Sequence, residues 1–514
     1  MVNSPSQPNS PGRHRLEPDR PAVAWKAIAA VAIPAAVVLL LSETRYGYFG
    51  DELYFLAAGR RPSFGYADQG PVLPLLARLM DTIAPGSYFV LRLPAVALTV
   101  TAIVLCALLA REFGGGRWAQ ALAAAGYATS PFLLLQGTML TTNTVDTALW
   151  VIITWLVVRW VRTRDDRLLL AAALVTAVDM QVKWLIPFFW LAAAASSLVF
   201  GPRDLVRRPL LWLGGAIVVA LTVPELLWQA HHDWPQLEMG RVIGNEQDIL
   251  GGRLMFVPMS VSLAGFLGAV LLVFGVWVLL VWESLRPYRF LGVILILLYL
   301  AFLITGGRIY YAAGMYAVLI AAGAVGVVTT AERMRVETRR ALIAVMTVLT
   351  VGAAGFVLYS TPWRSADAVH PPADDAEAAI NIGVYGSFGW HELTDEVERV
   401  YDGLTPQERA KAAILADTYW QASALDELGR DRLPPIYSPS RGFGYFGAPP
   451  DDATAVIAVG GYEAVLRYQF EHVDPVGKVD TRIGFPGNTQ NVTIWKCTGL
   501  KRSWAQVWPN WMHL

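Results

Sequence analysis

Cysteine is nearly missing from this chain, with two among 514 residues. Cys106 falls inside an apolar run and Cys497 in a polar tail, so they occupy different environments and no disulfide is expected. Histidine is scarce as well, at seven, and no His/Cys set has metal-ligand spacing. Charge is thin, 16% of residues, and balanced at 41 basic and 41 acidic side chains. A net charge of zero without a basic run argues against a nucleic-acid partner. No internal repeat is visible.

What fills the chain instead is apolar: 55% of its residues, beyond the ordinary share of a soluble domain. Runs of about 17 to 25 residues, each long enough to cross a bilayer, recur from Ala22 to Tyr359. The runs predict a polytopic α-helical membrane protein of about eleven spans. They lie near 22–41, 88–110, 117–135, 144–161, 167–182, 184–200, 210–229, 257–281, 288–304, 309–328 and 340–359. Residues 1–21, rich in Pro, Ser and Arg, are expected to form a disordered cytoplasmic tail. The first run lacks a convincing cleavage site and reads as a retained signal anchor.

Alternate loops divide the charge. REFGGGR, RWVRTRDDR, GPRDLVRR, WESLRPYR and AERMRVETRR, with the N-terminal tail, hold about nineteen Lys and Arg, against about eight opposite. The positive-inside rule then places the N-terminus in the cytoplasm and the first loop, 42–87, outside. An odd span count puts the C-terminus outside too. From about Thr361 the composition shifts, and 361–514 reads as a small extracytoplasmic α/β domain, following a membrane domain over 22–360. AAILA, ATAVIAVGG and NVTIWKC are its strand candidates, and Tyr419 to Leu428 is a helix closed by Gly429. About 140 residues suffice for a modest core of its own.

The first outer loop carries the densest polar detail. Asp51 and Glu52 are adjacent carboxylates between Gly50 and Leu53-Tyr54-Phe55, and GYADQGP follows with Tyr66 and Asp68. The plain reading makes Asp51 a helix cap and Asp68 a turn residue; the sharper one makes Asp51 a general base. Other polar residues gather on the same side: Asn143 and Asp146 in TTNTVDTALW, Asp179 and Lys183 around a tight turn, His231 and His232, and Arg308 with Tyr310 and Tyr311. Each has a plainer role. Lys183 and Arg308 can snorkel, Asp146 can pair within the bundle, the histidines can be loop surface, and Tyr310 can belong to an aromatic belt. Ionisable residues at span ends facing one compartment are costly unless paired or functional.

Many spans, an outer Asp-Glu followed by aromatics, and then GYxDxxP together resemble the membrane glycosyltransferases of the GT-C fold. The nearest group is glycosyltransferase family 39, the bacterial relatives of protein O-mannosyltransferases and aminoarabinose transferases. TTNTVDTALW and GGRIYYAAGMYAVLIAAGA are similar to that family's segments, and ADTYWQASALDELGRDRLPPIYSPSRGFGYFGAPP resembles its extracytoplasmic domain. Where the family commonly has Pro-Pro after GYxD, this chain has Gly70-Pro71.

The resemblance implies inverting transfer of a sugar from a polyprenyl-phosphate donor to an acceptor hydroxyl at the outer face of the cytoplasmic membrane. Asp51 stands at the family's base position. A leaving phosphate needs fixed cations, for which Lys183 and Arg308 are candidates and His231 a third. Glu52, Asp68 and Asp146 would orient sugar hydroxyls or hold the cations, and Tyr66, Asn143 and Tyr310 complete the expected substrate-binding set. The acceptor is a protein, a polysaccharide or a glycolipid, and the donor's tail lies among membrane lipid. No cofactor or metal is obligatory, although clustered carboxylates could hold a divalent cation. The alternative from another class is a transporter or flippase without covalent chemistry.

Overall fold

The computed structural model describes residues 20–249 and 252–514. The expectation for 1–19 lies outside them. Arg20 and Pro21, included in the expected disordered tail, are instead pinned: Arg20 donates to the buried Glu112 carboxylate at 3.0 Å, and Arg111 donates to the Pro21 carbonyl at 2.9 Å.

Every expected span falls on helix. Seven described helices are long and apolar enough to cross a membrane: Trp25–Ser42, Tyr88–Glu112, Thr142–Thr163, Pro209–His231, Glu283–Thr305, Ala313–Arg333 and Val336–Ser360. An eighth arises if Gly252–Ser262 and Gly265–Val281, which meet at 104°, act as one broken span. By length and composition, seven or eight of the described helices qualify as crossings, and the expected eleven are not confirmed. The remaining apolar runs are shorter helices, Arg117–Ala128, Arg167–Met180 and Ile186–Phe200. Hydropathy reads apolar length but not the breaks that interrupt it. The 117–135 run, for example, is divided where Ser130 caps a new helix starting at Pro131.

The tail folds around a five-stranded mixed sheet of order β2-β1-β3-β5-β4. Its strands are β1 Ala412–Ala416, β2 Ile436–Tyr437, β3 Ala455–Val459, β4 Phe470–Val479 and β5 Val492–Leu500. β1 lies parallel to both β2 and β3, with Ile414 opposite Ile436 and Ile457; β5 runs antiparallel to β3 and β4. Period-two alternation sends neighbouring side chains to opposite faces. Leu415, Val456 and Cys497 join a core with Trp504 and Trp508, while Ile414 and Ile457 join one with Trp420. Cys106 is buried in the helical bundle, and both cysteines are free.

The core around Trp504 and Trp508 is the tail's own, whereas the second core is shared. It also contains Leu53, Tyr54, Phe55, Leu56, Tyr66 and Leu73 of the first outer loop. About half of the loop is helix, Gly50–Gly59 and Val72–Ile83, and it is the floor on which the sheet unit sits. Arg60 and Arg61 fasten it from below: Arg61 reaches Asp426 at 2.8 Å, and Arg60 reaches Asp426 at 2.7 Å and pairs with Glu427. The loop and the tail thus share one side of the bundle.

Candidate active site

The Gly50–Gly59 helix brings Asp51 and Glu52 to opposite duties. Its N-cap is Phe49, not Asp51. Glu52 takes the capping work, accepting the Phe49 N–H at 2.9 Å. Its fully buried carboxylate also accepts from Arg92 at 2.6 and 2.8 Å and from the Leu140 N–H at 2.9 Å. Arg92 donates in turn to the carbonyls of Glu43 and Gly47. Burial pushes the nearby Glu43 carboxyl up to about 7, with Arg92 pulling it down and Glu52 pushing it further up. Glu52 is therefore the structural lock of the loop rather than the expected sugar ligand, because its oxygens are already held by the protein.

Asp51 is half-buried and is not the cap of its helix. Its Oδ1 accepts two hydrogen bonds at 2.8 Å, from the Tyr419 hydroxyl and from the Trp420 indole N–H. Both donors open the Tyr419–Leu428 helix, which Thr418 and Gln421 cap reciprocally. Arg441 donates to the Tyr419 hydroxyl at 3.3 Å and lies 4.8 Å over its ring. Tyr54 packs edge-on against Tyr419, ring centroids 5.3 Å apart, and donates to Asp68 Oδ1 at 2.9 Å. Burial pushes Asp68 up to about 6, although Arg441 and the Tyr54 bond pull against it; Asp51 pushes the same way as burial. Tyr419 stays well above the usual phenol range, chiefly through burial, so it remains a donor.

Two glycines permit this closeness. A Cβ on Gly50 would stand 2.3 Å from the Trp420 ring, and one on Gly442 would stand 1.8 Å from the Tyr54 hydroxyl. Gly70 answers the departure from Pro-Pro in the same way, because a Cβ there would lie 2.3 Å from the Gln181 carbonyl. The Val72 N–H bonds that same carbonyl at 3.2 Å, tying the Asp68 loop to the turn that carries Lys183.

Lys183 is the centre of a second group. Its ammonium donates to Asn143 Oδ1 at 2.9 Å and lies 5.1 and 4.6 Å over the rings of Tyr310 and Tyr311. Asp146 and Asp179, both buried, lie close enough to act on it electrostatically. Arg308 is partly buried two residues before Tyr310. Asn143, Asp146, Lys183 and Tyr310 thus come together as expected. His231 does not join them: its ring is exposed and bonded to the Leu227 carbonyl, while His232 stacks on Trp228 and meets Tyr445. Tyr66 is also structural, with its hydroxyl buried against the carbonyls of Ala58 and Arg61. Among the described residues, no group of three or more His, Cys, Asp or Glu is arranged to hold a metal.

Tyr419, Trp420 and Arg441 were not foreseen from the sequence. Their signal was present in the TYW and SPSRGFG of the tail, but nothing local says that Tyr419 and Trp420 reach a carboxylate 368 and 369 positions earlier, or that Arg441 backs Tyr419.

Comparison with known proteins places this geometry. Residues 68–228 match the family model described as dolichyl-phosphate-mannose-protein mannosyltransferase. The match includes Asp68, Asn143, Asp146 and Lys183 and stops short of Asp51 and Arg308. Over 92% of this chain and 98% of the other, the structure resembles ArnT from Cupriavidus metallidurans in the apo state, at 14% identity and a TM-score of 0.58. ArnT of the same organism bound to undecaprenyl phosphate matches over the same shares, at 16% identity and a TM-score of 0.53.

This is the GT-C fold. In this chain the long apolar helices come first and the mixed-sheet unit follows the last of them. The resemblance read from the outer Asp-Glu loop is thereby borne out at the level of family model and fold. A further match is the UPF0324 membrane protein RSc1111 of Ralstonia nicotianae, 28% identical over 196 residues and 36% of this chain. The chain spans 48% of that relative's length.

Proposed function

We propose that this protein is an inverting glycosyltransferase that moves a sugar from a polyprenyl-phosphate donor to an acceptor hydroxyl at the outer face of the cytoplasmic membrane. The observation that carries the reading is the pairing of a protein-held carboxylate, Asp51, with a separate cation group built on Lys183, in a fold shared with a protein that binds undecaprenyl phosphate. Asp51 takes the proton as the acceptor O–H bond breaks. The freed oxygen forms a bond to the anomeric carbon from the face opposite the phosphate. The bond from that carbon to the phosphate oxygen breaks, and its electron pair leaves on polyprenyl phosphate.

A weakly acidic hydroxyl needs a base within hydrogen-bond reach. The departing phosphate needs cations fixed in advance, which are worth most in a dry site. Lys183, oriented by Asn143 and the Tyr310 and Tyr311 rings, supplies one, and Arg308 supplies a second. Asp68 and Asp146 orient the sugar or the cations. The N-terminus is cytoplasmic and the sheet unit outside in this reading, which the positive-inside bias and the shared side of loop and tail support. The reaction needs no obligatory metal in this reading. A carrier would hold its charges near the bilayer midplane between broken half-helices; here they sit at helix ends on the side of the loop.

The test incubates the purified chain in nanodiscs with a panel of polyprenyl-phosphate sugars and follows release of polyprenyl phosphate. Asp51→Asn is expected to lower the rate by roughly 100-fold or more. Wild-type turnover in that variant overturns the assignment of the base.

A further inference from the structure

Asp51 is not the cap of its helix. A capping aspartate accepts from the free N–H groups that follow it, whereas Asp51 is the second helical residue, behind the Phe49 N-cap. Here Phe49 takes those of Glu52 and Leu53 with its carbonyl, at 2.9 and 3.3 Å, while Tyr419 and Trp420 draw the Asp51 carboxylate outward. Resting on the reading of Asp51 as the base, we propose that Tyr419 and Trp420, steadied by Arg441, are positioning residues that hold it in its working orientation. The active site is then composite, and the sheet unit is part of the machinery.

Three features carry this. Both bonds converge on one oxygen from consecutive residues, so a single element fixes where that oxygen sits. That element cannot drift, because the Tyr419–Leu428 helix is capped at its start and clamped near its end through Asp426 and Glu427 by Arg60 and Arg61, residues of the loop that carries Asp51. The position of Tyr419 is over-determined in its turn. Tyr54 packs on its edge and Arg441 on its face, and the Arg441 bond to its hydroxyl polarises the O–H toward Asp51. The two glycine approaches at Gly50 and Gly442 serve the same contact, since a side chain at either would push the tail away from the loop. A base displaced by about 1 Å can cost a factor of roughly 100, so this support bears on rate.

The experiment uses the full chain in nanodiscs, with the polyprenyl-phosphate sugar that the wild type turns over. Tyr419→Phe and Trp420→Phe each remove one donor and keep an aromatic ring. Each is expected to lower kcat by roughly tenfold to hundredfold, with the donor KM within about twofold of wild type and the melting temperature close to it. Wild-type kcat in both, or a loss carried by KM alone, overturns the proposal. Asp51→Asn in parallel separates the two failures: a rate kept in Asp51→Asn sinks the base itself, whereas a rate lost there but kept in the tail variants sinks only the positioning role. A structure of the double variant reads the same claim without turnover. The carboxylate turned back toward the start of its own helix is the expected result, and an unmoved carboxylate is the contrary one.

Discussion

At the scale of single residues, the outer loop divides its carboxylates by what surrounds them. Glu52 has all its partners inside the protein, so Arg92→Leu leaves a buried charge uncompensated. We expect a loss of about 3–5 kcal/mol, read as poor recovery of folded protein and a lowered melting temperature. Asp68 titrates instead. Its carboxyl is raised from 3.8 to about 6 in the folded chain. Between those values the folded state keeps a proton that the unfolded state has lost, so this group's contribution to stability falls as pH rises through the window. Asp68→Asn removes that loss, since its Oδ1 can still accept from Tyr54. The variant is therefore expected to melt higher relative to wild type at pH 7 than at pH 4. A difference independent of pH contradicts the burial argument. Lys183→Met is expected to lower transfer roughly 100-fold without lowering the melting temperature, checked in the polyprenyl phosphate release assay.

At the scale of elements, Gly50 is the point where two helices nearly touch. Gly50→Ala puts a methyl group into the Trp420 ring, and overpacking of this kind costs about 1–3 kcal/mol. The variant should lose activity along with that stability, because Trp420 can withdraw only by releasing Asp51; full activity at reduced stability would contradict this coupling. Much of this level was legible in the sequence. The apolar runs all became helix, β1, β3 and β5 fell on AAILA, ATAVIAV and NVTIWKC, and Gly429 closed the Tyr419 helix as expected. What periodicity could not supply was how those pieces meet. Asp51 looked like a cap because capping is local, and its actual partners are not. His231 looked like a site residue because it shares a side with Lys183, yet a helix can present it to solvent on that side. Hydropathy likewise runs straight through the 104° bend between Gly252–Ser262 and Gly265–Val281.

At the scale of the whole molecule, the outer loop and the sheet unit are one body with a common core. Truncation after residue 360 is expected to strip the Leu53, Phe55 and Tyr66 face of its cover and abolish transfer. Protease sensitivity of the 43–87 loop in the shortened chain checks this. A reporter enzyme active only outside the cytoplasm should work when fused to the C-terminus and fail at the N-terminus; the reverse would overturn the orientation. The contact between Tyr419 and Asp51 spans 368 positions, which has a consequence for the chain as it is being made. At about 5–20 residues per second, the ribosome needs roughly 20 to 70 seconds to pass from the base to its partners. During that interval the helices of the bundle, which lie between the two in the chain, are themselves being made, and Asp51 is without its partners. In the proposed reading, competence then arrives only once the sheet unit has been made and has settled on the loop, so the chain is completed by its own final domain.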